Sequence, residues 1–194
     1  MNDLKPTKIA SFPLSVGERL SAEVCEHFAG SVQRIVVAGS VRRRCKEVHD
    51  LDIIAIPRFS TAPPRTLFGG PEQISEVDRA LDKLIGDGKI DMMQRGEKAI
   101  RFCLRSHPIT VDFYLASQET WATLLLIRTG SRDHNIFLCS RARALGMHLK
   151  ADGSGLFRGD QLIASDSEQS IFRELGLDFS PPEGRHSSPE LRSR

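Results

Sequence analysis

No apolar run in the 194 residues approaches the roughly 18 needed to cross a bilayer, so no membrane-spanning helix is predicted. The first residues, MNDLKPTKIASF, lack the apolar core of a secretory signal, which points to the cytosol. Cysteine is sparse. Cys25, Cys45, Cys103 and Cys139 include no C-x-x-C pair and read as isolated reduced thiols, not as a disulfide framework or a zinc site. Charge of one sign is equally scarce: 27 Lys and Arg against 25 Asp and Glu leave a net +2, only a mild bias toward polyanions. Nor is there an internal repeat. What the chain does have is 40% hydrophobic residues, enough for the core of one ordinary domain or two small ones.

The chemistry concentrates between Arg34 and Pro57, RIVVAGSVRRRCKEVHDLDIIAIP. Val36 and Val37, then Ile53, Ile54 and Ile56, make two β-branched runs suited to buried strands. Between them Gly39 frees the backbone for a tight turn, and Ser40 is expected to cap the short basic segment 41–46. The N–H groups at such a helix start suit phosphate. Asp50 and Asp52 follow two apart, so in a strand both carboxylates leave the same face. Adjacent anions repel, and a hard divalent cation such as Mg²⁺ neutralises them; a solvated pair at a strand edge is the alternative. A third β-like run, ITVDFYL over 109–115, carries Asp112 at its centre. Beside the first strand, Asp112 would complete a three-carboxylate cluster. Two metals about 3.5–4 Å apart could then clamp the attacking and leaving oxygens of an in-line displacement. Phosphate turn and carboxylates together suggest phosphoryl or nucleotidyl transfer.

Gly39-Ser40-Val41-Arg42-Arg43, Asp50-x-Asp52, Val111-Asp112 and Thr129-Gly130-Ser131 followed by Asn135 occur in that order. The string resembles the family X, or polymerase-β-like, DNA polymerases of the nucleotidyltransferase superfamily, over about residues 12–183. The first two motifs mark the superfamily; the Thr-Gly-Ser segment and the ending GLDFSPPE are specific to family X. The resemblance implies an α+β fold in minimal palm-plus-thumb form. A nucleotidyltransferase palm, a mixed β-sheet with helices, would span 1–129. A small α+β subdomain closing over the nascent base pair would span 130–183, with 184–194 a disordered tail.

The resemblance also implies roles. Asp50, Asp52 and Asp112 would be the catalytic carboxylates and would hold two Mg²⁺ or Mn²⁺ ions, Asp112 nearest the primer 3′-hydroxyl. Gly39, Ser40 and Arg43 match triphosphate-binding positions, and Asn135 matches an asparagine that contacts the incoming nucleotide. Gly130 opens a turn that contains a cis peptide in relatives. Ile127 and Arg128 stand where relatives carry Tyr-Phe against the sugar, so relaxed sugar selection is expected. Cys139 replaces an arginine that contacts the template strand, so modest fidelity is expected. Arg132, Arg141, Arg143 and Lys150 are expected to follow a DNA backbone in a salt-sensitive way. The implied activity is template-directed addition to a primer 3′-hydroxyl, filling short gaps in DNA repair. The expected partners are gapped or nicked primer–template DNA and dNTPs, with rNTPs left open. A cytoplasmic monomer, nucleoid-associated in a prokaryote, is expected. Template-independent transfer to another acceptor and a non-catalytic DNA-binding relative are the alternatives.

Periodicity supplies the remaining elements. Leu14, Val16, Leu20, Val24 and Phe28 predict an amphipathic helix over 15–29, and Ile74, Val77, Leu81, Leu84 and Ile85 a second. Residues 58–70, with two prolines and a Gly pair, read as a loop. Strands are expected over 89–94, 98–104 and 109–115. The run WATLLLI predicts a helix over 119–128 buried between layers, and a basic helix follows over 131–145. Trp121 reads as core. Three short β-like pieces come next, then a helix whose capping box is expected at Ser165 and Glu168. From Ser180 onward a solvated tail is expected.

Overall fold

The computed structural model describes residues 11–62 and 72–185. A two-residue strand β1 (Phe12–Pro13) leads into α1 (Leu14–Phe28), which ends one residue short of the expected Ala29. Strand β2 (Val32–Val37), the four-residue helix α2 (Gly39–Arg42), β3 (Glu47–Val48) and β4 (Asp50–Pro57) follow. The hairpin β5 (Phe59–Ala62) and β6 (Glu72–Ser75) precedes α3 (Glu76–Gly86). This corrects the loop expected over 58–70: Phe59, Ser60, Thr61 and Ala62 pair with Ser75, Ile74, Gln73 and Glu72. The rest of that segment lies outside the described residues.

Strands β7 (Ile90–Arg95), β8 (Ala99–Leu104) and β9 (Thr110–Leu115) complete a five-stranded mixed sheet in the order β2-β4-β9-β8-β7. Only β4 and β9 run parallel; the other neighbours are antiparallel. The side-chain alternation of a strand separates the two faces. Leu51, Ile53 and Ala55 of β4, with Val111 and Phe113 of β9, face a core built with α1 and α3. Phe28 of α1 anchors that core, its ring centroid 4.7 Å from Phe113. Ile54 and Ile56, one residue out of phase, face the opposite side and pack on α4 (Trp121–Thr129), with Tyr114 against the same cluster. The phase that sends Ile54 and Ile56 toward α4 also sends Asp50 and Asp52 there.

Helix α4 is buried on nearly every side, as its apolar sequence requires. Leu124 and Leu125 join the sheet-facing cluster, while Leu126 joins a separate C-terminal core. That core is built from α5 (Arg132–Ala144), the antiparallel sheet β10 (His148–Lys150), β11 (Gly155–Arg158) and β12 (Gln161–Ala164), and α6 (Glu168–Glu174). Leu138, Leu149, Leu156, Ile171 and Phe172 are its buried centre. The fold is thus mixed α+β. The capping box lies two residues beyond the expected Ser165: Ser167 accepts from the Ser170 N–H at 3.0 Å, and the Ser170 hydroxyl takes the Ser167 N–H at 3.3 Å.

The tail expected from Ser180 is packed at least as far as Arg185. Pro182–Gly184 forms a 3-10 turn, and Arg185 is completely buried. Residues 186–194 lie outside the described residues. Among the described residues no helix is long and apolar enough to cross a membrane.

Candidate functional site

Register, not proximity in sequence, assembles the acidic residues. Parallel pairing of β4 with β9 sets Asp52 opposite Asp112, and antiparallel pairing of β9 with β8 sets Asp112 opposite Arg101. Asp52, Asp112 and Arg101 therefore stand in one row across the sheet, with Asp50 at the start of β4, level with Thr110. Burial raises the Asp52 carboxyl to about 7, and the charges of Asp50 and Asp112 add to the shift. Asp50 is raised too, first by burial and then by Asp112, while His49, Arg101 and Arg43 oppose the change.

The third carboxylate is already engaged. Arg101 donates from Nε to Asp112 Oδ1 at 2.5 Å and from Nη2 to Oδ2 at 2.8 Å, a bidentate fork. Accordingly, among the described residues no three Asp, Glu, His or Cys side chains lie close enough together to hold a metal ion. The sequence led us to expect Asp112 to close the ligand set; the strand register brings it alongside, but its oxygens face a guanidinium. Nothing in the sequence flagged Arg101, because its partner lies on a neighbouring strand.

The donor set itself suits a hard divalent cation. Asp50 and Asp52 are crowded anions whose charge burial opposes, and Gly39 makes room beside them. A Cβ built on Gly39 would lie 1.9 Å from Asp52 Oδ2, and its φ of +57° is disfavoured for other residues. Ala38 N–H donates to the Asp52 carbonyl at 2.8 Å, which fixes that approach. Ser40 does not cap α2. The cap position is Ala38, and the Ser40 hydroxyl is buried without a partner.

Facing this row is a cavity of about 510 Å³ whose lining includes Arg43, Asp52, Tyr114, Arg128 and Asn135. The last turn of α4 forms its wall. Arg43 Nη1 donates to the Thr129 carbonyl, and Asn135 Nδ2 donates to the Ile127 carbonyl at 2.7 Å. Between these two ties the Arg128 guanidinium lies 4.1 Å from the Tyr114 ring centroid, a cation–π contact. The Nε atoms of Arg43 and Arg128 and the Asn135 Oδ1 are buried without hydrogen-bond partners. Buried polar atoms are normally satisfied, so a cavity lined by several orphans suits a polar ligand. The Gly130–Ser131 peptide at its edge is cis. Ser131 caps α5, accepting from the His134 N–H at 3.3 Å.

The expected basic surface divides. Arg132 and Arg143 line the cavity. Arg141 instead donates from Nε to the Leu175 carbonyl at 2.9 Å, closing the end of α6, and Lys150 lies 4.5 Å from the Phe157 ring centroid. Arg141 is therefore a structural residue.

An unforeseen network ties the first part of the chain to the last. Arg42 donates from Nη1 to Thr129 Oγ1 at 2.6 Å and from Nη2 to Glu168 Oε2 at 2.7 Å. Arg185 Nη1 reaches Glu168 Oε1 at 2.8 Å, and the Arg185 carbonyl accepts from the Ser131 N–H at 3.1 Å. Burial opposes the charge of Glu168, but the hydrogen bonds from Arg42 and the charge of Arg185 outweigh it and keep the carboxyl low. The sequence put Arg42 in the basic run beside Arg43 and Glu168 in a capping box, and nothing local signalled their pairing with each other or with Arg185.

Three comparisons bear on this geometry. Residues 124–186 match the family described as DNA polymerase beta thumb. The DNA polymerase/3′-5′ exonuclease PolX of Bacillus subtilis (strain 168) is 29% identical over 185 residues, 94% of this chain. The chain spans only 30% of the length of that relative. Leishmania infantum polymerase beta, solved as a ternary P/T complex, shares the fold, with a TM-score of 0.71 over 91% of this chain and 77% of that one at 21% identity. The comparisons thus make residues 124–186 similar to a polymerase beta thumb, most of the sequence similar to a part of PolX, and the fold similar to that of polymerase beta.

Proposed function

We propose that this chain is a metal-dependent DNA polymerase that adds nucleotides to a primer 3′-hydroxyl at short gaps or nicks, with modest fidelity and relaxed sugar selection. One observation carries the reading. Asp52, paired with Asp112 across the sheet and two residues from Asp50, lines a cavity whose arginines suit a triphosphate. Two Mg²⁺ or Mn²⁺ ions bound by Asp50, Asp52 and Asp112 would neutralise charge on the attacking and leaving oxygens.

The chain's own residues do the rest. Arg43 offers a planar fork to phosphate oxygens, with the unpartnered Ser40 hydroxyl nearby in sequence. Asn135 presents its free Oδ1 to the incoming nucleotide. Asp112, released from Arg101, takes the proton of the 3′-hydroxyl as its oxygen bonds to the α-phosphorus. The bond from that phosphorus to the β-phosphate oxygen breaks, and pyrophosphate leaves. Arg132 and Arg143, at the cavity edge, are placed to meet DNA phosphates.

The test is extension of a labelled primer across a one-nucleotide gap, with each nucleotide and with Mg²⁺ or Mn²⁺. Addition set by the templating base is expected, and Asp112→Ala should lower it by about 100-fold or more while the protein stays folded. Substantial extension by that variant, or none by the natural chain under any condition, would overturn the reading. Addition without regard to template would move the activity to untemplated transfer.

A further inference from the structure

The last turn of α4 holds a cation beside the carboxylates, and its role rests on the reading of this cavity as a nucleotide site. The turn is fixed at two points, Thr129 by Arg43 and Ile127 by Asn135. Arg128 stands between them and lines the cavity together with Asp52. Its guanidinium is seated on the Tyr114 ring, 4.1 Å from the centroid. Tyr114 pairs with Ile54 across the parallel strands, one same-face step beyond the pair Asp52 and Asp112. Two residues of strand span about 7 Å, which sets the ring apart from the carboxylates along the same face. The charges of two arginines oppose the raised pKa of Asp52, and Arg128 does so more than Arg43. Arg128 is therefore the cation felt most strongly at this carboxylate. Its Nε is nonetheless buried without a hydrogen-bond partner. Buried donors are normally satisfied, so this one is left over for a ligand.

We propose that Arg128 is a catalytic residue of the transfer, donating a hydrogen bond to a non-bridging oxygen of the α-phosphate. Metal held by Asp50 and Asp52 would meet that phosphate from the sheet, and Arg128 meets it from the wall of α4. As the 3′-oxygen bonds to the α-phosphorus and the bond to the β-phosphate oxygen breaks, negative charge spreads over the oxygens around that phosphorus. The guanidinium keeps its protons throughout. A charge-assisted bond to an oxygen that gains charge is stronger in the transition state than in the bound substrate, so it raises kcat more than it lowers KM. Stacking on Tyr114 fixes the plane of the guanidinium before the substrate arrives, which spares that reorganisation during the reaction. A guanidinium engaged with phosphate reads no feature of the sugar, in keeping with relaxed sugar selection. Arg43, tied to the Thr129 carbonyl, is left for the outer phosphates.

The test is one-nucleotide gap filling by the full chain with dATP and ATP and Mg²⁺, beside ³¹P NMR of bound, non-reacting α,β-imido-dATP. Arg128→Gln should lower kcat by about 100-fold and change KM by less than about threefold. The ratio of ATP to dATP use should be the same in both proteins. Arg128→Lys, which keeps the charge without the planar fork, should recover part of the rate. The α-phosphorus resonance of the bound analogue should move in Arg128→Gln, while the γ resonance stays in place. A kcat within about threefold of the natural chain, a loss confined to KM, or an altered ATP-to-dATP ratio would overturn the inference. So would an α resonance that moves no more than the γ one. Any of these with templated extension intact would leave the polymerase reading standing. An α resonance that depends on Arg128 in a chain that extends no primer would do the reverse. No bound nucleotide at all would overturn both.

Discussion

Replacing Asp52 by Asn should stabilise the metal-free protein, although it removes a residue of the proposed centre. Burial and the charges of Asp50 and Asp112 raise this carboxyl from its ordinary value of 3.8 to about 7. An acid with a raised folded pKa binds protons in the folded state that the unfolded chain has already released. Its contribution therefore becomes less favourable as pH rises from about 4 to 7 and stays unfavourable above. Three units at about 1.4 kcal/mol each set a ceiling of roughly 4 kcal/mol at pH 8, falling below about 2 kcal/mol at pH 5. Asp52 keeps an edge on the cavity, where water screens it, so the gain expected at pH 8 is about 2 kcal/mol. Urea titrations in chelator at pH 8 and pH 5 would measure it. Asp52→Asn should be the more stable protein at pH 8, and the difference should shrink at pH 5. Mn²⁺ should then raise the midpoint of the natural chain by mass action and leave the variant nearly unmoved. A variant less stable at pH 8, or a gain independent of pH, would refute the electrostatic argument.

Other perturbations test the surroundings. Glu168→Gln leaves the fully buried Arg185 without a counter-charge and should cost about 3–5 kcal/mol in urea unfolding; a loss under about 1 kcal/mol would show the network to be incidental. His134 is completely buried, and burial first, then the charge of Arg185, lowers its pKa to about 4. Because the unfolded imidazole takes up a proton near pH 6.5 and the folded one does not, this residue's share of stability is full above pH 6.5. It is lost as pH falls toward 4, by roughly 3 kcal/mol, and His134→Phe should flatten that part of the pH–stability curve. Arg141→Ala should lower thermal stability through the lost bond to Leu175, whereas Arg132→Ala and Arg143→Ala should spare stability and each reduce the salt slope of DNA binding by about one.

What the sequence made legible depended on range. The β-branched runs at Val36–Val37 and Ile53–Ile56, and the alternation that puts Asp50 and Asp52 on one face, are local patterns, and the sheet reproduces them. The all-apolar run in α4 forecast burial on both sides, and Leu125 and Leu126 point into different cores. Where local signals competed, the reading failed. Prolines and glycines concealed the short strand Phe59–Ala62, whose partner begins beyond the described gap. The capping box expected at Ser165 and Glu168 gave way to one at Ser167 and Ser170, while the Glu168 carboxylate is held by Arg42 and Arg185. Where the partner is remote there was no signal. Arg101 meets Asp112 only through sheet register, and Arg42 meets Glu168 126 positions later.

Those remote contacts change what the legible motif means. Two adjacent arginines at the end of α2 divide between support and the cavity. Arg42 is spent on Thr129 and Glu168, so its position in the basic run says nothing about ligand contact. Arg43 spends one nitrogen on the Thr129 carbonyl and keeps a buried, unpartnered Nε. The same short helix thus holds the turn at Thr129–Ser131 in place and offers that turn's cavity a cation. On the proposed function, a phosphate would meet Arg43 through nitrogens other than the Nη1 that the carbonyl uses, and the support would stay in place. The acidic row is arranged differently. There the fork from Arg101 uses both Asp112 oxygens, and joining Asp52 requires exchanging one cation for another. Loading the cationic side of the site therefore adds a contact, while loading the acidic side replaces one, and the acidic side is where binding should be slower and more sensitive to substitution.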